Sequence, residues 1–127
     1  MDKVVHFEIP VDDIKRAGKF YSVVFGWGIM SVPGMDYTLV TTTETGEDRM
    51  PKQAGAINGG MMKRSGPIKS PVITVSVKNV DDAVKKIKNN GGKIIMDKFK
   101  VGDIGFSAYV EDTEGNLIGV WEDVKGG

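Results

Sequence analysis

The sequence of this 127-residue chain contains no cysteine and one histidine, His6. The absence of cysteine excludes disulfide bonds, thiolate catalysis and cysteine-ligated metals, and it leaves the redox compartment open. A single histidine excludes histidine-rich metal clusters and any catalytic pair of two histidines.

The sequence also lacks an excess of either charge. It has 17 Lys and Arg residues against 17 Asp and Glu residues, so its formal net charge is zero. The positive charge typical of proteins that bind nucleic acids or anionic membranes is missing, and we expect neither partner. No apolar run approaches the ~20 residues that a membrane span requires. The N-terminal MDKVVHFEIP is too polar for a signal peptide, so we expect a cytoplasmic protein.

What the sequence does contain is an internal duplication. Residues 5–30 align without a gap on residues 71–96, with six identities in 26 positions. Both segments show an alternating strand, an Asx residue that can cap a helix (Asp13 and Asn79), a helical stretch, a glycine and a second strand. A chain of this length is large enough for a real core and too short for two independent domains. Each half is therefore one supersecondary unit that cannot bury its apolar faces alone.

Helical spacing in the first half predicts that Phe20, Tyr21 and Val24 are buried. Further along, Gly59 and Gly60 lie within a predicted strand. Glycine in a strand interior marks the close approach of another backbone or of a ligand, and the sequence leaves both open.

The order of elements is β-α-β-β-β in each half, which gives eight strands and two helices. We predict one α+β domain over residues 1–127, with module one at 3–62, a linker at 63–70 and module two at 71–123. The polar segment 44–53, with its glycine and proline, is predicted to be a mobile loop.

The opening HFEIPVDDIKRAGKFYSVVFGW and the closing DTEGNLIGVWE, together with the duplication, resemble the vicinal oxygen chelate superfamily. That superfamily includes glyoxalase I, bleomycin-resistance proteins and extradiol dioxygenases, and the resemblance covers residues 3–123. It implies tandem βαβββ modules whose mixed sheets curl around a ligand cleft, with the helices outside. The superfamily often completes its clefts by pairing subunits, so we expect a homodimer.

The resemblance also implies where a metal would bind. Enzymes of the superfamily take ligands from the first and last strands of each module, and the matching positions here are His6, Val72, Gly119 and residues 58–60. Only His6 can act as a ligand there, whereas a divalent metal site normally keeps at least three protein ligands. We therefore expect a member with a degenerate metal site and no cofactor.

Strand alternation supplies candidate ligand-binding residues. His6 and Glu8 share one face of the first strand, where they either hold a proton and orient a polar ligand or form an exposed ion pair. Thr74, Ser76 and Trp121 share the corresponding face of the second half, where the Trp ring beside a glycine suits an aromatic or apolar ligand.

Tyr109 joins this set unless a bulge near Gly105 reverses its face. The sequence thus predicts a cleft that segment 44–53 is placed to cover, lined by His6, Glu8, Thr74, Ser76, Tyr109 and Trp121.

Three functions fit these features. The leading prediction is a protein that binds a partly apolar small molecule without a metal. The alternative is a metal-dependent lyase, isomerase or dioxygenase of the same superfamily, with an unusual site built from His6, Glu8 and either Glu111 or Glu122. The third is a dimeric module without a small-molecule ligand, whose partners are proteins.

Overall fold

The computed structural model of the chain describes residues 1–124. It has two compact units: the first unit is His6–Pro71, and the second unit combines Met1–Val5 with the chain from Val72 onward. Each unit has the order βαβββ and a mixed sheet with one helix. The predicted α+β class and the duplicated element order are confirmed.

The first unit contains most of β1 and four further elements. In the sheet, β4 runs parallel to β1, while β2 pairs with β3 and β3 with β4 in antiparallel fashion, which gives the order β2-β3-β4-β1. The elements are β1 (Lys3–Val11), α1 (Ile14–Phe25), β2 (Gly28–Ser31), β3 (Thr38–Thr41) and β4 (Gly59–Lys63).

The second unit repeats this topology. Its sheet has the order β5-β8-β7-β6, with β5 and β8 parallel and the other neighbours antiparallel. The elements are β5 (Val72–Ser76), α2 (Val80–Asn89), β6 (Lys93–Val101), β7 (Gly105–Glu111) and β8 (Leu117–Asp123). No helix in residues 1–124 is long and apolar enough to cross a membrane.

Both helices begin at the caps that the sequence predicts. The Asp13 carboxylate accepts a hydrogen bond from the backbone N–H of Arg16 at 3.0 Å, and the Asn79 side chain accepts one from the N–H of Asp82 at 2.9 Å. Gly26 ends α1 in the left-handed conformation, at φ 71°, which a glycine adopts without strain.

In each unit, the core lies between the helix and one face of the sheet. The first unit buries Val11, Val40 and Met61 below α1, and the second buries Val80, Val84, Ala108 and Val120 at α2. Partly buried side chains complete the first core, and these are Phe7, Ile9, Ile14, Ala17, Tyr21, Trp27 and Ile29.

The predicted burial of Phe20 and Val24 is wrong. Their exposed fractions are 54% and 53%, whereas Tyr21 packs inward and stacks on Trp27 with ring centroids 5.2 Å apart. The inward stripe of α1 runs through positions 14, 17, 18 and 21, which follow the spacing of one helical face. Phe20, Val23 and Val24 form a second apolar stripe on the outer side.

The outer face of α2 is different. Its solvent-exposed residues are all polar or charged, namely Asp81, Asp82, Lys85, Lys86, Lys88 and Asn89. The two helices are therefore equivalent in position within their units but differ in what they present outward.

The segment predicted as a mobile loop is closed by its own backbone hydrogen bonds. The N–H of Gly46 donates to the carbonyl of Met50, and the N–H of Lys52 donates to the carbonyl of Glu44, both at 2.9 Å. At the base of this hairpin, Asn58 accepts from the backbone N–H of Thr42 at 2.7 Å.

Candidate functional site

The first candidate group lies on the helix-free face of the first unit. Phe7 and Ile9 pack into the core below α1, so the alternation of β1 turns His6 and Glu8 to the opposite face. Glu8 lies directly beside Gly60 of β4 in the parallel ladder. The sequence predicts this face of β1 correctly.

Tyr37 joins these two residues into one hydrogen-bonded group, which we call the His6–Tyr37–Glu8 triad. The Tyr37 hydroxyl lies 2.8 Å from Nε2 of His6 and donates to Oε2 of Glu8 at 3.0 Å. Glu8 is only 8% exposed, so the exposed ion pair, one of the two arrangements that the sequence left open for His6 and Glu8, is wrong. A buried carboxylate needs hydrogen-bond donors, and Tyr37 provides one.

Sequence reasoning missed Tyr37. The residue lies just before β3, outside the alternating segments, and is 31 positions from His6 and 29 from Glu8. The signal that pointed to it was the Gly59-Gly60 pair. A Cβ atom built on Gly60 would overlap the Tyr37 hydroxyl and ring, so the ring of Tyr37 occupies the space that a side chain would need.

Gly59 likewise leaves room for a close approach on the other face of β4. A Cβ atom there would overlap the backbone oxygen and ring of Phe7. The close approach predicted at the two glycines is thus made by a neighbouring backbone and by two aromatic side chains of the same unit.

His6 is held in a partly buried position, which affects its protonation. Burial lowers the pKa of His6 below its ordinary value of 6.5, and the negative charge of Glu8, which raises it, is the smaller effect. The imidazole is therefore neutral at neutral pH, with one nitrogen protonated.

The second candidate group lies on the helix-free face of the second unit. Val120 packs into the core at α2, so the neighbouring residues Gly119 and Trp121 of β8 face the other way. The ladders place Thr74 and Tyr109 on either side of Gly119. Residues directly opposite one another on neighbouring strands share a face, so these three form one row.

A second row runs beside the first. Ser76 of β5 and Ser107 of β7 lie on either side of Trp121. The pairing of β7 with β8 is continuous from Gly105 to Glu111, so no bulge there reverses Tyr109. The structure therefore brings Thr74, Ser76, Tyr109 and Trp121 to one face of the second unit.

Trp121 lies across its own sheet. A Cβ atom built on Gly105 would overlap the six-membered part of the indole ring, which shows that the ring covers this glycine. The indole N–H donates to the Asp123 carboxylate at 2.7 Å, which fixes the ring orientation. The result is an aromatic surface flanked by the two serine positions, which can bind a flat apolar ligand with hydroxyl groups nearby.

Comparison with known proteins agrees with this architecture. Residues 3–43 match the family model "Bleomycin resistance protein-like N-terminal". The protein CFP32 of Mycobacterium bovis is 32% identical over 120 residues, which are 91% of this chain and 43% of that protein. A lactoylglutathione lyase of Escherichia coli O157:H7 is 27% identical over 98% of this chain and 96% of its own length.

A solved structure extends the agreement to the whole fold. A glyoxalase/bleomycin resistance protein/dioxygenase superfamily member from Vibrio splendidus superposes with a TM-score of 0.63 at 14% identity, over 98% of this chain and all of that one. This chain belongs to the vicinal oxygen chelate superfamily. It spans less than half the length of CFP32.

Superfamily membership makes the metal-ligand positions comparable between the units. By the duplication, Glu8 corresponds to Thr74, and the ladders place Gly60 beside Glu8 and Gly119 beside Thr74. Gly60 is therefore the counterpart of Gly119, and neither last strand supplies a ligating side chain there. Within residues 1–124, no cluster of three or more His, Asp or Glu side chains is arranged to bind a metal ion.

One carboxylate of the alternative metal site has another partner. Glu122 accepts a hydrogen bond from the backbone N–H of Val80 at 2.8 Å, at the first turn of α2. It belongs to the helix side of β8 rather than to the face that carries Trp121.

The lowered pKa of His6 predicts a pH dependence of stability. Between the folded and the unfolded pKa, the unfolded chain binds a proton that the folded chain does not, so the free energy of unfolding decreases as pH falls below about 6.5. We expect the wild type to lose more stability than His6→Gln between about pH 7.5 and 5.5, as measured by urea unfolding. Asp13 and Asp112, whose pKa values are lowered from 3.8, titrate below this window. Equal losses in the two proteins would contradict the prediction.

Proposed function

We propose that this chain is a metal-independent member of the superfamily that binds a partly apolar small molecule. A divalent metal site normally keeps at least three protein ligands, and the observation that carries the proposal is that, among the matching positions, only His6 is suited to coordination. Its Nε2 atom is already hydrogen-bonded to Tyr37, which is bonded in turn to Glu8. A metal ion at Nε2 would have to displace Tyr37 and separate a buried carboxylate from its donor, which is unfavourable.

The two helix-free faces support ligand binding in different ways. The first unit offers an imidazole and a carboxylate linked by a phenol. The second offers Trp121 with the hydroxyl group of Ser76 beside it, whereas Thr74 and Tyr109 on the same face are only 7% and 8% exposed. Such a mixture of aromatic area and a few polar groups is typical of small-molecule sites. The cytoplasmic location expected from the sequence remains part of this proposal.

The first test is metal content. Protein isolated without chelator should hold no stoichiometric Ni²⁺, Zn²⁺, Mn²⁺ or Fe²⁺, and EDTA should leave its melting temperature unchanged, because a metal bound only to the native state would stabilise it. Isomerisation of a glutathione hemithioacetal should be absent as well. Elemental analysis that finds about one metal per chain, lost in His6→Ala, would favour the alternative metal-dependent enzyme.

The second test concerns Trp121. For a ligand found by a thermal-shift screen of aromatic and apolar compounds, Trp121→Ala should weaken binding about tenfold to hundredfold, since burial of the ring contributes about 1–3 kcal/mol. Trp121→Phe is the matched control, because it keeps an aromatic ring over Gly105 and should lose much less affinity. Calorimetric titration measures both. Unchanged affinity in Trp121→Ala would exclude this face from the site.

The third test concerns a homodimer, which we propose forms through the outer stripe of α1. Phe20, Val23 and Val24 are 54%, 75% and 53% exposed, which is unusual for neighbouring large apolar side chains on one helix face. CFP32, of which this chain covers 43%, is long enough for two such domains. The same stripe on a second copy of this chain would match it in size and apolar character.

Sedimentation at micromolar concentration should give about twice the chain mass of 13.8 kDa. Val23→Lys should shift the protein toward the monomer, because it places a charge in the apolar stripe. Asn89→Lys changes the position that the duplication matches to Val23 and should leave the mass unchanged. A wild-type mass near 13.8 kDa would contradict the dimer.

A further inference from the structure

The hydrogen bonds of the triad determine which nitrogen of His6 carries the proton. A phenol has one proton, and that of Tyr37 is donated to Glu8. The Tyr37 oxygen must therefore accept the second hydrogen bond, and Nε2 of His6 must donate it. A neutral imidazole has only one N–H, so Nδ1 of His6 keeps a lone pair and acts as an acceptor.

Nδ1 is open to a ligand. The hydrogen bond of the His6 ring in residues 1–124 is made by Nε2. Within the same part of the chain, no side-chain nitrogen or oxygen is both buried and without a partner. Nδ1 of the half-buried His6 is therefore reachable by solvent, while Nε2 is occupied.

The surface of the first unit beside the triad is apolar. The ladders place Glu8, Gly60, Leu39 and Met30 in one row across β1, β4, β3 and β2. Residues in such a row share a face of the sheet. Leu39 is 36% exposed and Met30 is 62% exposed, so the same face carries a polar acceptor at one end and accessible apolar side chains at the other.

We propose that Nδ1 of His6 is the hydrogen-bond acceptor for a small molecule that carries a hydroxyl donor on an aromatic or apolar body, and that Tyr37 is the residue that positions it. This inference rests on the proposed function and names the class of ligand. Tyr37 acts through His6: it holds the Nε2–H tautomer and fixes the ring, while Glu8 orients the Tyr37 hydroxyl. Burial, which lowers the pKa of His6, also favours the neutral ring whose Nδ1 can accept.

The first experiment needs no ligand. His6 is the only histidine, so the imidazole nitrogen resonances of ¹⁵N-labelled protein report on it alone. At about pH 7.5 the wild type should show the Nε2–H tautomer. Tyr37→Phe keeps the ring over Gly60 but removes the acceptor, and it should lose this preference. Tyr21→Phe, which removes a phenol from the aromatic cluster of α1, should keep it.

The second experiment compares two probes of similar shape, 4-chlorophenol and 4-chloroanisole, by calorimetric titration. The phenol donates a hydrogen bond and the methyl ether does not. Wild type and Tyr21→Phe should bind the phenol more tightly. Tyr37→Phe and Glu8→Leu should weaken phenol binding about threefold to tenfold, the range expected for one neutral hydrogen bond, without changing anisole binding. Glu8→Leu keeps the tyrosine but removes the acceptor of its hydroxyl proton, and it serves as the second variant.

A wild type with the Nδ1–H tautomer would overturn the inference. Equal affinity for the two probes, or unchanged phenol binding in both Tyr37→Phe and Glu8→Leu, would overturn it as well. Failure of 4-chlorophenol to bind the wild type would also overturn it. These outcomes test only the proposal that the ligand carries a hydroxyl group. The broader proposal of metal-free binding fails separately, through the metal analysis and the thermal-shift screen.

Discussion

Two adjacent glycines in β4 determine how closely other groups can approach the two faces of the sheet in the first unit. Side chains alternate along a strand, so Gly59 and Gly60 in succession remove one Cβ atom from each face. On the helix side, this lets the backbone and ring of Phe7 approach β4. On the other side, it lets Tyr37 lie flat on the sheet with its hydroxyl between His6 and Glu8. The packing of the core and the geometry of the candidate site thus depend on the same dipeptide.

The triad explains why superfamily membership does not by itself imply metal chemistry. Binding sites are built from particular side chains on a shared fold, and a fold accommodates several of them. Here Nε2 of the one imidazole at a ligand position is hydrogen-bonded to a phenol, and the phenol donates to a carboxylate that is 8% exposed. A buried carboxylate without a donor is costly, so the hydrogen bond from Tyr37 stabilises the arrangement.

The two units have kept one backbone plan and diverged in their side chains. In both, the last strand returns parallel to the first, and a polar residue of the first strand faces a glycine of the last: Glu8 faces Gly60, and Thr74 faces Gly119. The glycine of the first unit is covered by a distant tyrosine, whereas a Cβ atom on that of the second would meet Thr74 itself. The helices also differ, since only α1 presents an apolar stripe outward. The shared periodicity and caps account for the common backbone arrangement, and the two units differ in the side chains on their outer surfaces.

The sequence alone determined the class, the βαβββ order, the caps at Asp13 and Asn79 and the inward face of β1, because these follow from local periodicity and local hydrogen bonding. It also placed Thr74, Ser76 and Trp121 on one face, since alternation extends along each strand. Only the tertiary structure decided that Phe20 and Val24 point outward, because which of two apolar stripes a helix buries depends on the sheet beneath it. Only the tertiary structure could bring Tyr37 to His6 and Glu8, because these residues are about 30 positions apart in the sequence. Their contact depends on how β1 pairs with β4 and on where the chain before β3 crosses these strands.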